Sequence, residues 1–117
     1  MLHKLLLFLL PLVSTLQVHG INPDKLRFGR IENHVDGQVV STVDSKLIYK
    51  EIPEYQTIIK DKVPKGTARY TQLMLTATKL YKGALGKAGI PLIVEIDGVN
   101  KKLHKTEDVT KKIISLL

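Results

Sequence analysis

The sequence predicts a mainly β fold, a small antiparallel sheet or sandwich that ends in one short C-terminal α-helix. Short β-branched or alternating segments recur along the chain, which favours strands. Asp-Gly pairs at positions 36–37 and 97–98 are typical of hairpin turns. The 117 residues have room for one domain.

The first twenty residues predict a secretory signal peptide. Lys4 precedes an apolar run from Leu5 to Val13 that one proline interrupts. The run is shorter than the roughly 20 residues of a membrane-spanning helix. We therefore expect cleavage after Gly20 and a single secreted, extracellular domain over residues 21–117, with no transmembrane segment.

Four segments in the first half of the mature domain are predicted as strands. Polar and apolar residues alternate from 25 to 31, and β-branched residues dominate 38–43. Shorter apolar runs follow at 47–49 and 56–59. Pro53 separates these two runs, because proline is confined to the edges and starts of strands.

The longest regular stretch, residues 70–81, fits two patterns. As a helix, it places Leu73, Ala77 and Tyr81 on one face at four-residue spacing. As a strand, it alternates around three threonines, which are β-branched. The surrounding β context favours the strand, and the helix remains the alternative.

The last third of the chain is predicted to hold a loop, two strands and the helix. Residues 82–89 are rich in glycine and predict a flexible loop. Strands follow at 92–96 and 99–103, joined at Asp97-Gly98. The helix over residues 106–117 begins at Thr106, with two carboxylates in its first turn.

The order of these segments resembles the insect multiprotein bridging factor type two family, which includes many probable salivary secreted peptides. The residues that carry the resemblance are Phe28-Gly29, Asp36 with Val39-Val40, Thr71 to Tyr81, and Val94 to Gly98. The resemblance implies a small all-β secreted domain that is not an enzyme.

Candidate catalytic and metal-binding residues are few. Cysteine is absent, which excludes disulfides, thiol nucleophiles and cysteine-ligated metals. His34 lies at alternating spacing with Glu32 and Asp36, but an exposed hairpin end explains that pattern better than a metal site. Glu95 and Asp97 share one strand face and are expected to face solvent. We predict no catalytic residue, no metal, no cofactor and no enzymatic activity.

Positive charge is concentrated in the second half of the chain. Residues 21–54 carry five basic and six acidic side chains, whereas residues 55–117 carry twelve and five. Lysine clusters attract anions by charge, although lysines also keep small sheets soluble and protect their edges. The anion-binding candidates are Lys79, Lys82, Lys87, Lys101, Lys102 and Lys105. They would converge if the Asp97-Gly98 hairpin folded the chain back beside residues 70–81.

Two functions follow as hypotheses. The first is a non-enzymatic secreted binding protein, of insect salivary or venom type, whose unknown extracellular partner is anionic, such as the polyanion glycosaminoglycan. The second is a cationic membrane-active or antimicrobial protein that uses the C-terminal helix, with Lys111 and Lys112 on its polar side. A domain this small without disulfides either packs its sheet well or pairs with a partner or a second copy, as a homo-oligomer.

Overall fold

The computed structural model describes residues 19–117, so the predicted signal peptide lies outside the described residues except for its last two positions. Within residues 19–117 the chain forms a mixed α/β fold with four strands and four α-helices. The prediction of a mainly β fold is therefore wrong. None of the helices in this part of the chain is long and apolar enough to cross a membrane.

The strands form one mixed sheet. They are β1 (Leu26–Gly29), β2 (Val40–Val43), β3 (Leu92–Glu95) and β4 (Thr106–Asp108). Their spatial order is β1-β3-β2-β4. β1 runs antiparallel to β3, while β2 runs parallel to both β3 and β4. Strands lie within the ranges predicted at 25–31, 38–43 and 92–96, but each is shorter than predicted, and the expectation of a mostly antiparallel sheet is wrong.

The first three of the four helices occupy segments predicted wholly or partly as strands. The four helices are α1 (Ser45–Lys50), α2 (Pro53–Lys60), α3 (Ala68–Lys87) and α4 (Thr110–Ser115). The predictions of strands at 47–49, 56–59 and 70–81 are therefore wrong. For residues 70–81 the helical alternative is the correct one.

Residues at the N-terminal ends of α1, α2 and α3 explain why these helices begin where they do. The Asp44 side chain accepts a hydrogen bond from the Lys46 backbone N–H at 3.1 Å, which caps α1. Pro53 occupies the first position of α2, where its missing N–H costs nothing. The Thr67 hydroxyl accepts from the Tyr70 N–H at 3.2 Å at the start of α3. These helix-start signals outweigh the weak β preference of a few branched side chains.

α3 continues through the segment predicted as a glycine-rich loop. Ala77, Tyr81 and Leu85 are all buried and lie at four-residue spacing on the face that meets the core. This burial outweighs the intrinsic cost of two internal glycines. The helix ends before Gly89, whose φ of +69° favours glycine.

Both Asp-Gly pairs lie at turns, but neither forms a hairpin. Asp36 and Gly37 lie in a turn in which the Gln38 N–H donates to the Val35 carbonyl at 2.9 Å. The strands on either side, β1 and β2, are separated in the sheet by β3. Asp97-Gly98 begins a crossover from β3 to β4, with β2 between them, and residues 99–103 form no regular strand. A turn signal shows where the chain reverses, but not which strand it then pairs with.

The C-terminal segment is divided between a strand and a helix. Residues 106–108 form β4, which pairs with β2, and α4 begins only at Thr110. Asp108 explains the boundary, because its side chain accepts hydrogen bonds from both the N–H and the hydroxyl of Thr110. The predicted helix over 106–117 is therefore shorter than expected.

Two apolar clusters cover opposite faces of the sheet. The helices pack on one face, where Val43 and Ile93 meet side chains of α1, α3 and α4. Ile21 and Val99 pack on the other face, against Val40 and Val94. Alternation along β2 and β3 sends successive side chains to opposite faces. The sheet is consequently buried on both sides, and only its two edges remain open.

Candidate functional site

The six lysines singled out from the sequence are all exposed. The side-chain ion pairs among residues 19–117 are Lys25–Asp97, Arg27–Glu95 and Arg69–Asp61. None of them involves these six lysines. Their charges are therefore not neutralised by a direct carboxylate contact within the described part of the chain.

Three of these lysines lie in a short ordered segment that we call the basic loop, residues 100–105. The Asn100 carbonyl accepts hydrogen bonds from the backbone N–H groups of Leu103 and His104, both at 3.1 Å. The Asn100 side chain accepts from the Lys102 N–H at 2.9 Å. At the other end, the Lys105 carbonyl accepts from the Val40 N–H of β2 at 2.8 Å. Lys101, Lys102 and Lys105 therefore lie on one short segment whose backbone is hydrogen-bonded at both ends.

The other three lysines lie on α3, on the opposite side of the sheet. Lys79 and Lys82 are one helical turn apart, and Lys87 ends the helix, where a cation interacts favourably with the helix dipole. α3 packs on the helix-covered face, whereas the Val99 end of the basic loop packs on the other face. The hairpin that would have brought the two sets together is not formed, and they lie on opposite faces.

His34 and His104 contact each other. The rings of His34 and His104 meet edge to face, with centroids 4.9 Å apart. The Nε2 atom of His104 also lies 2.6 Å from the carbonyl oxygen of His19. Among residues 19–117, no three histidine, cysteine or acidic side chains come together as metal ligands would.

A buried polar network that the sequence did not suggest joins four elements of the fold. Glu95 of β3 is only 8% exposed, and one of its oxygens accepts from Arg27 Nε of β1 at 2.9 Å. Its other oxygen accepts from the Ser45 N–H at the start of α1, also at 2.9 Å. The Ser45 hydroxyl bonds to both Glu95 and Tyr81 of α3, the latter at 2.6 Å.

A β-bulge explains how Arg27 reaches this network. Leu26 pairs with Val94 and Phe28 with Ile93, so two steps along β1 match one step along β3. Arg27 is the extra residue. A bulge redirects side chains locally, and here Arg27 and Phe28 line the same groove on the helix side of the sheet.

The direction of each hydrogen bond in the network follows from counting protons. A carboxylate paired with arginine only accepts, and the Ser45 hydroxyl has a single proton. Ser45 therefore donates to Glu95, and Tyr81 donates to Ser45. Burial raises the pKa of the Tyr81 phenol, against the opposing effect of its hydrogen bond with Ser45. The phenol accordingly keeps its proton at neutral pH.

Two adjoining cavities run between β1 and α3. One, of about 410 Å³, is lined by Leu26, Arg27, Ser45, Tyr49, Thr78, Tyr81, Lys82 and Leu85. The next, of about 380 Å³, shares Leu26, Arg27, Lys82 and Leu85 and adds Phe28 and Gly29. We call the two together the β1–α3 groove. Lys82 is the one lysine predicted as an anion-binding candidate that lines it.

Glu95 was expected to face solvent together with Asp97, and this expectation is wrong for Glu95. Asp97 is exposed, whereas Glu95 is buried because an extra residue in β1 brings a guanidinium to it. A single carboxylate inside the apolar run from Leu92 to Ile96 was the available signal, since a buried charge needs a partner. Its partner could not be named, because Arg27 is 68 positions away.

No family model, curated protein or solved structure matches this chain. The resemblance to the insect multiprotein bridging factor type two family stays a prediction from the sequence. The all-β domain that this resemblance implied is not the fold observed, which is a mixed four-stranded sheet with helices on one face.

Proposed function

We propose that this protein is a secreted, non-enzymatic binding protein that holds an anionic extracellular partner on its basic loop. The observation that carries the proposal is the ordered placement of Lys101, Lys102 and Lys105, all exposed and without an ion-pair partner among residues 19–117. Lysine acts as a point charge. A partner with repeated anionic groups, such as a glycosaminoglycan, suits such a surface better than a ligand that requires bidentate recognition.

The basic loop is a better candidate than the lysines of α3. Its three lysines lie within five consecutive positions on a backbone that Asn100 and β2 hold at both ends. On α3, Lys82 and Lys87 are five residues apart, which separates them by about 140° around the helix axis. The lysines of α3 therefore do not form one compact positive surface.

The packing of the C-terminal helix supports the binding protein over the membrane-active alternative. Membrane binding through an amphipathic helix needs a free apolar face. In α4, Ile113 is fully buried, and Val109 just before the helix is also buried. Both belong to the cluster that packs the helices against the sheet. Exposing this face to a lipid surface would require α4 to leave the core.

Heparin–agarose chromatography of three matched triple variants tests the proposal. The first replaces Lys101, Lys102 and Lys105 with glutamine, the second replaces Lys79, Lys82 and Lys87, and the control replaces Lys60, Lys62 and Lys65, which are also exposed. Each variant loses the same charge. We expect the natural protein to elute well above the physiological ionic strength of about 0.15 M, and only the first variant to elute at markedly lower salt.

Two results would contradict the proposal. If the eluting salt concentration fell equally in all three variants, heparin binding would depend on net charge alone. Elution of the natural protein at or below about 0.15 M salt would mean that no useful polyanion binding occurs under physiological conditions.

A further inference from the structure

The β1–α3 groove has more free hydrogen-bond donors than acceptors. The Arg27 side chain donates from Nε to Glu95, and its only other hydrogen bond in residues 19–117 is a long one of 3.5 Å from Nη1 to the Leu26 carbonyl. Lys82 is exposed and has no hydrogen bond or ion pair in the same part of the chain. Two cationic side chains thus line one groove with donors to spare.

A hydroxyl pair adds a further donor. The oxygens of Tyr49 and Thr78 lie 3.1 Å apart and share one hydrogen bond. The two groups carry two protons, and their mutual bond uses only one of them. The second proton is left for a ligand. Tyr81, whose proton goes to Ser45, contributes one acceptor.

The rest of the groove is apolar. Leu26 is half-buried, Leu85 is buried, and Phe28 is 36% exposed even though it is a large hydrophobic side chain. Glu95 does not line either cavity of the groove, although it lines a neighbouring cavity together with Arg27 and Ser45. An apolar floor with a few converging donors is the usual make-up of a small-molecule site, and 410 Å³ falls within its usual size range.

We propose that the β1–α3 groove binds a free fatty-acid-type carboxylate, with its headgroup between Arg27 and Lys82 and its tail along Leu26, Phe28 and Leu85. The carboxylate accepts from the free donors, and the tail removes the exposed Phe28 ring from water. This site is separate from the basic loop, which lies on the other side of the sheet, so either proposal can fail without the other.

Titration with carboxyl-labelled ¹³C-dodecanoate, followed by NMR and calorimetry on the mature chain, tests this site. We expect one dodecanoate to bind per chain and to shift the backbone signals of Leu26, Phe28 and Lys82. Acetate has the same headgroup without a tail and should not bind at the same concentrations. Dodecanol has the tail without the charge and should bind more weakly.

Single substitutions separate the headgroup from the tail. Lys82→Gln should weaken dodecanoate binding about threefold to fivefold, because it removes an exposed charge contact. Lys79→Gln, one turn away and equally exposed, is the matched control and should have no effect. Phe28→Ser should weaken binding about tenfold by removing apolar contact area. Arg27 is left unchanged, since its loss would leave Glu95 buried without a partner.

Three results would overturn the proposal. Equal weakening by Lys82→Gln and Lys79→Gln would indicate attraction to net charge alone. Unchanged dodecanoate affinity in Phe28→Ser would show that the tail does not contact Phe28. Failure to bind monomeric dodecanoate, with or without binding to phosphatidylglycerol vesicles, would rule out a fatty-acid site in the groove. The glutamine variant of the basic loop should bind dodecanoate normally, which keeps this outcome distinct from that of the proposed function.

Discussion

Replacing Glu95 with glutamine tests whether the buried network stabilises the fold. Glutamine keeps the shape of the side chain but has one acceptor oxygen in place of two. If that oxygen serves Arg27 and the Ser45 hydroxyl, the new amide nitrogen faces the Ser45 backbone N–H. The glutamine NH₂ and the Ser45 N–H are then two donors facing each other, and the Ser45 N–H, the first of α1, loses its acceptor.

The expected loss combines two contributions. An unsatisfied buried donor costs about 1–3 kcal/mol. Arg27 also loses its charge partner. Because the Arg27 side chain is 30% exposed, this loss costs less than the roughly 3–5 kcal/mol for breaking a fully buried ion pair. We expect Glu95→Gln to lower the free energy of unfolding by about 2–4 kcal/mol. At roughly 4–8 °C per kcal/mol for a domain of this size, the melting temperature falls by roughly 8–32 °C.

Urea unfolding followed by circular dichroism measures this loss, and a second carboxylate provides the control. Asp97 pairs with Lys25 at 3.3 Å but is 64% exposed, so Asp97→Asn should cost less than about 1 kcal/mol. The double variant Arg27→Gln/Glu95→Gln should cost less than the sum of its two single variants, because it leaves no buried charge alone. A loss below about 1 kcal/mol for Glu95→Gln, or strict additivity in the double variant, would refute this reasoning.

Three further predictions concern the stability effects of single substitutions. Hydrogen bonds from the hydroxyl and N–H of Thr110 lower the pKa of Asp108, so its carboxylate stabilises the fold at neutral pH and loses that effect as the pH falls below its ordinary pKa of 3.8. Asp108→Asn should cost up to about 1 kcal/mol at pH 7, and urea unfolding should show this difference shrinking as the pH falls through the lowered pKa of Asp108. Gly83→Ala should stabilise α3 by about 0.5–1 kcal/mol, because its new Cβ meets open space. Gly29→Ala should destabilise by about 2–5 kcal/mol, since φ is +82° and the Cβ would lie 1.9 Å from the Pro91 carbonyl oxygen. A loss of stability with Gly83→Ala, or tolerance of Gly29→Ala, would contradict these last two expectations.

The strands predicted correctly are those whose local sequence pattern fits a strand and does not also fit a helix. The run from Leu92 to Val94 is apolar and mostly β-branched, and these three side chains and Glu95 are all buried in the centre of the sheet. Residues 70–81 fit both periods, and local pattern could not decide between them. The decision lies in the packing of Ala77 and Tyr81 against the core, which involves residues far away in sequence.

The candidate sites were predictable to different degrees for the same reason. A lysine cluster such as Lys101 and Lys102 can be predicted from the sequence alone, because lysines adjacent in sequence are usually exposed and their clustering does not depend on contacts with distant residues. The β1–α3 groove requires β1 and α3 to lie side by side, and a bulge to redirect Arg27. Neither follows from spacing, since the groove joins residues that are far apart in the sequence, Leu26 and Leu85 among them.

The interleaved order of the strands also limits when the protein can fold during synthesis. β1 and β2 each pair with a strand from the last quarter of the chain, and they do not pair with each other. The sheet therefore cannot begin to assemble until residue 95 has left the ribosome. The helical pair of α2 and α3 makes mostly local contacts and can form earlier, whereas the distant strand pairings close large loops and are expected to form slowly. A nascent chain of this topology stays largely open until it is nearly complete, and an open chain is the form that a translocation channel accepts.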